Sequence, residues 1–264
     1  DTGFATPNDF TNSAGVFDYS SGTTSTTLNG PYVAMTDTCG SISATGSGDI
    51  NMGGTNGDHD CDTPTSAGNT AATRSGMYEV NKIFEEARGY LPNNQWLNGN
   101  DPGPLQTNMN IQNTCNAFYS GSFNFYREGG GCRNTGEIAA VFDHEWGHGM
   151  DDHDGGPFSN SSEGYADIAS MFRLWASCVG YGFFLPADFR CGMTADGTGA
   201  NNNEAQQGAN KCDLDCSGVR DADYLKIQGG APLGASFMCA SCFSGSGPCG
   251  RQVHCAATAT REAG

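Results

Sequence analysis

Hydrophobic and polar positions divide the chain into stretches of different period. Up to about residue 70 it is rich in Gly, Ser, Thr, Asn and Asp, and its apolar residues, such as Tyr32, Val33, Met35, Ile42 and Ile50, form no sustained run. Short strands joined by turns are expected there. From Ala71 to Tyr90, Met77, Val80, Ile83, Phe84 and Ala87 recur at the spacing of one helical face, and Gly89 with Pro92 shortly beyond marks the stop. Residues 108 to 126 change to alternation on either side of a Ser-Gly turn, which predicts a hairpin or adjacent edge strands.

Helical spacing returns after the glycines at 129 to 131. Thr135 is the expected N-cap of a helix on which Ile138, Val141, Phe142 and Glu145 recur up to Gly147 and Gly149. A further helix is expected after a cap at Ser161 or Ser162, with Ile168, Met171, Phe172 and Trp175 forming its core face. Past Cys178 the chain is turn-rich, and the run DGTGANNNEAQQGAN is its least structured part. The pattern predicts an α+β fold of two lobes: a β-rich one over 1–133, carrying one long helix, and a helical and loop-rich one over 134–264.

Composition narrows the partners. Twenty-nine acidic against 12 basic side chains leave a formal net charge of −17, which disfavours nucleic acid and anionic membrane surfaces and favours cations. No run approaches the roughly 20 apolar residues of a membrane-spanning helix, so membrane insertion is not expected. Twelve cysteines suit an oxidising compartment, so a secreted, disulfide-rich protein is expected. Cys239 and Cys242 form a CxxC pair, but no second pair follows at metal-site spacing. Local spacing suggests Cys115 with Cys132 and Cys249 with Cys255, and the connectivity stays open.

The acidity is clustered. Asp213, Asp215, Ser217, Gly218 and Asp221 occupy positions 1, 3, 5, 6 and 9 of a loop resembling an EF-hand, although position 12 is Tyr224, with Asp223 one step earlier. Asp58, Asp60 and Asp62, near Asp49, form a second calcium candidate, and Asp151 to Asp154 a third. Solvated acidic turns are the competing reading of all three.

The strongest chemical signal is His144-Glu145-Trp146-Gly147-His148. On a helix, two histidines four residues apart project from one face about one turn apart, so both imidazoles can reach one Zn²⁺ while Glu145 stands beside them to hold a water. A catalytic zinc needs a third protein ligand, and two residues compete. Asp154 follows His148 at the distance at which the metzincin proteases place theirs, with Asp151 where that class has Gly. Glu163 opens the next helix, and Asp167 follows at i+4, where it can accept a hydrogen bond from a zinc-bound histidine.

HEWGHG followed by SEGYADIAS resembles the gluzincin metalloproteases of the thermolysin and fungalysin type. That resemblance implies a two-lobed zincin whose central HExxH helix floors the cleft, with His144, His148 and Glu163 as zinc ligands and Asp167 behind them. NTCNAFYSGSFNFY is similar to the strand these enzymes place along the substrate cleft, which implies that Asn116 and Ala117 bind the main chain of protein or peptide substrates by strand addition. RQVHC is similar to the family's Val-His element, which makes His254 the donor to the oxyanion. The implied reaction is direct peptide hydrolysis, with Glu145 as general base and no acyl-enzyme. A non-catalytic extracellular or surface-assembly protein with a structural metal is the alternative from another class. Against it stands Glu145, which a purely structural zinc would not need.

Overall fold

The computed structural model describes residues 11–12, 15–52, 68–155, 162–184 and 219–221. The fold is mixed α+β, and the chain forms two compact units, Asp1–Arg127 and Glu128–Gly264. Among the described residues no helix is long and apolar enough to cross a membrane.

The first unit is built on a four-stranded sheet. Strands β2 (Val33–Asp37), β4 (Leu105–Ile111) and β6 (Phe123–Tyr126) run parallel, and β5 (Ala117–Tyr119) closes one edge antiparallel to β6. Two short strands, β1 (Thr24–Thr26) and β3 (Ala44–Gly46), pair separately. The alternation over 108 to 126 is therefore the β5–β6 hairpin plus the end of a parallel strand. Helix α1 (Ala71–Tyr90) packs on β2 and β4, burying Val80, Ile83 and Phe84 near Val33, Met35 and Met109, which line the same core. Gly76 is buried on that face, and a Cβ there would come within 2.8 Å of the Met35 side chain.

A polar junction joins α1 to the sheet. Thr70 caps α1 by accepting from the Thr73 amide, and the Asp37 carboxylate accepts from the hydroxyls of Thr70 (2.7 Å) and Thr73, from the Asn110 amide (3.0 Å) and from the Cys39 backbone N–H (2.8 Å). Thr70, Thr73 and Asn110 are fully buried, so each needs these bonds. Asn110 sits at φ 56°, a left-handed conformation that Asn tolerates, at the point where the β4–β6 register shifts. That turn presents the Asn110 carbonyl to the Arg127 Nε at 2.6 Å.

The second unit pairs two helices, α2 (Ala139–His153) and α3 (Ser162–Leu174), with the short pair β7 (Cys178–Val179) and β8 (Arg220–Asp221). Two expectations are corrected here. Thr135 is not the cap of α2: it lies buried inside a separate 3₁₀ turn, Thr135–Glu137, capped by the Asn134 side chain on the Gly136 N–H at 3.0 Å. Helix α2 opens instead on the Ile138 carbonyl, which accepts from the Val141 and Phe142 amides without a side-chain cap. The core face of α3 is also different, because Phe172 and Trp175 are 63% and 92% exposed while Gly164, Ala166, Asp167 and Ser170 are buried. A face of small and polar residues lies inward because α3 approaches α2 too closely for large side chains.

Cys39, Cys115, Cys132 and Cys178 are disulfide-bonded. Replacing Asp37 by Ala is expected to destabilise the protein by about 2–3 kcal/mol, because several donors lose one shared acceptor. A denaturant midpoint unchanged from wild type would show that the junction contributes nothing.

Candidate metal centre

Helix α2 carries His144, Glu145 and His148 on a stretch buried almost throughout, from Ala140 to Met150. The i, i+4 spacing sets the two imidazoles one above the other, with ring centroids 4.7 Å apart and Nε2 atoms 3.1 Å apart. From the first turn of α3, Glu163 brings its carboxylate to 3.3 Å from the His144 Nε2 and 3.7 Å from the His148 Nε2. The donor atoms of these three residues all lie within 4.8 Å of one another, and they are the one group of at least three His, Cys, Asp or Glu side chains so gathered among the described residues.

Asp167, one turn beyond Glu163 and fully buried, stands 2.9 Å from the His144 Nδ1. The carboxylate holds the proton on Nδ1, which leaves the His144 Nε2 with a lone pair facing the cluster. Two imidazole nitrogens and a carboxylate aimed at one point, with a buried carboxylate behind, fit a borderline-soft divalent cation such as zinc. Their fit is poorer for calcium, which prefers an all-oxygen shell.

The helices come together through a glycine. A Cβ on Gly147 would lie 2.4 Å from the Ala166 Cα and 3.2 Å from the Ala166 and Ala169 methyls, so only Gly permits this approach. Glycine inside a helix costs about 1 kcal/mol relative to Ala, and here the cost is offset by contact that carries Glu163 to the histidines. A second tie runs from the Arg173 Nη1 to both carboxylate oxygens of the fully buried Asp143, at 3.0 and 3.1 Å. Sequence reasoning missed this pair. Its only signal was that Arg173 is the single Lys or Arg between Asn134 and Cys178, a stretch that contains eight acidic residues.

Asp154 lies at the C-cap of α2 and is not one of the three gathered residues. It belongs to an acidic turn in which burial, and then the charges of Asp154 and Asp152, push the Asp151 carboxyl above its ordinary range. Burial, followed by the charges of Asp154 and Asp151, likewise raises the half-buried Tyr165 phenol, which therefore stays protonated at neutral pH. A carboxyl raised in this way opposes folding once ionised, so the turn's contribution improves as pH falls through the Asp151 titration.

In the first unit Asn116 is exposed and Ala117 is buried at the start of the edge strand β5. His254, Asp58, Asp60, Asp62, Asp213, Asp215, Ser217 and Asp223 lie outside the described residues. Of the candidate ligands in the EF-hand-like loop only Asp221 is described, and its backbone pairs with Cys178 in the β7–β8 ladder.

No protein-family model matches the chain, and comparison with curated proteins and with solved structures found no significant match. Gly147→Ala is expected to cost about 2 kcal/mol or more in unfolding free energy, because the added methyl meets backbone rather than a side-chain end. Chemical denaturation with wild-type stability would refute the close packing.

Proposed function

We propose that the chain is a secreted, zinc-dependent endopeptidase of the gluzincin kind, with the two-lobed zincin architecture. The convergence of His144, His148 and Glu163, with Asp167 behind His144, is the observation that supports this reading best. The HEWGHG and SEGYADIAS motifs supply all four residues. Between the two candidate third ligands the geometry favours Glu163 over Asp154.

His144, His148 and Glu163 would hold the ion. Bound there, Zn²⁺ supplies Lewis acidity that polarises a carbonyl and acidifies a water. The chain's own residues do the rest. Asp167 keeps His144 in the ligating tautomer. Glu145, next to His144 and only 4% exposed, takes a proton from the attacking water and returns it to the leaving amine. His254 is the proposed donor to the oxyanion.

Protein or peptide substrates would dock by strand addition at Asn116 and Ala117. In the sheet order β2-β4-β6-β5, strand β5 is an outer strand and pairs with β6 on one side. An extended peptide can add to such an edge through main-chain hydrogen bonds. Calcium is proposed as a second cation, held by the acidic clusters at Asp58 to Asp62 and Asp213 to Asp223, where it would order loops with little core.

Glu145→Ala should bind one zinc per chain and lose cleavage of casein or a quenched peptide by at least about 100-fold. Activity equal to wild type in that variant would exclude the mechanism. Bound zinc measured by elemental analysis should fall in Glu163→Gln and persist in Asp154→Asn, and the opposite pattern would transfer the third-ligand role to Asp154. Protein stripped with EDTA and given zinc alone should melt below protein given zinc and calcium together. Complete recovery with zinc alone would exclude structural calcium.

A further inference from the structure

Glu163 can complete the metal centre only if α3 keeps one orientation across α2. The Gly147–Ala166 contact, with Ala169 beside it, brings the helices together through small side chains. Side chains this small interlock little, so polar ties away from that point help to fix the angle of α3. Along α3, Glu163 lies about 7 Å to one side of the midpoint between Ala166 and Ala169, and Arg173 about 8 Å to the other. Movement at one end is therefore matched by a comparable and opposite movement at the other.

We propose that Arg173 is a positioning residue for the metal centre, and that its buried ion pair with Asp143 sets the angle of α3 and with it the place of the Glu163 carboxylate. This rests on the zinc reading above. The pair suits the task. One guanidinium nitrogen reaches both Asp143 oxygens at 3.0 and 3.1 Å, and the Asp143 and Arg173 side chains are 0% and 12% exposed, so water does not compete for the bond. Asp143 immediately precedes His144, so this tie and the His144–Asp167 tie are anchored side by side on α2 and diverge to positions six residues apart on α3. Two separated polar anchors fix that angle more tightly than the packing at Gly147 does alone. Arg173 is also the one cation in the segment 134–178, and no other Lys or Arg in that segment can replace it.

The test uses the full-length chain and two probes, zinc by competition against a chromogenic chelator and Co²⁺ by its visible d–d spectrum. Arg173→Met should weaken zinc binding by about tenfold or more, and Arg173→Lys, which keeps the charge, should lose less. The deciding variant is the double substitution Asp143→Asn with Arg173→Met, which removes both charges and so leaves no uncompensated carboxylate in the interior. It should recover apoprotein melting relative to Arg173→Met while zinc affinity stays low and the Co²⁺ bands stay altered. A double variant that binds zinc as tightly as wild type, with the wild-type Co²⁺ spectrum, would overturn the positioning role and leave the metal reading intact. Wild-type protein that takes up neither ion would overturn the metal reading itself.

Discussion

The close approach of α2 and α3 at Gly147 is the constraint on which the second unit depends. The two histidines come from one helix and the carboxylates from another, so no local conformation can assemble the cluster. It forms because a missing side chain at 147 meets a small one at 166. That proximity brings Glu163 within 3.3 Å of His144 and lets Asp167 reach the other face of the same ring. It also explains the inverted look of α3, whose Phe172 faces outward while Gly164, Ala166, Asp167 and Ser170 lie inside.

Polar pairs add to the packing of these two helices. Buried ion pairs add little net stability on average but are costly to break singly, so they specify geometry better than they strengthen it. Asp143 with Arg173 fits that description, and the hydrogen bond between Asp167 and His144 adds a second directional tie. The first unit uses the same device, where Asp37 gathers Thr70, Thr73 and Asn110 at the junction of α1 with the sheet. In each unit a carboxylate with several partners, half-buried at Asp37 and fully buried at Asp143, marks the place where two elements must meet in one way.

Short-range regularities were legible in the sequence and long-range ones were not. Helix α1 runs from Ala71 to Tyr90 as its apolar spacing indicates, because one face of it meets a single apolar sheet. The i, i+4 pair His144 and His148 and the i, i+4 pair Glu163 and Asp167 were visible for the same reason. The parallel pairing of β2 with β4 joins residues 72 apart, such as Val33 and Leu105, and no local pattern encodes that partnership. Phe172 and Trp175 face outward because Gly147 and the polar ties, rather than hydrophobicity, choose the inward face. Asp143 and Arg173, 30 residues apart, left only the trace of one lone cation in an acidic stretch.

Under the proposed function one zinc ion would sit between α2 and α3, held by two imidazoles and a carboxylate. X-ray absorption spectroscopy of the zinc-loaded protein measures this directly. The expected result is light-atom ligands at about 2.0–2.1 Å with the outer-shell scattering of two histidine rings. A spectrum dominated by sulfur at about 2.3 Å, or one lacking imidazole scattering, would contradict it.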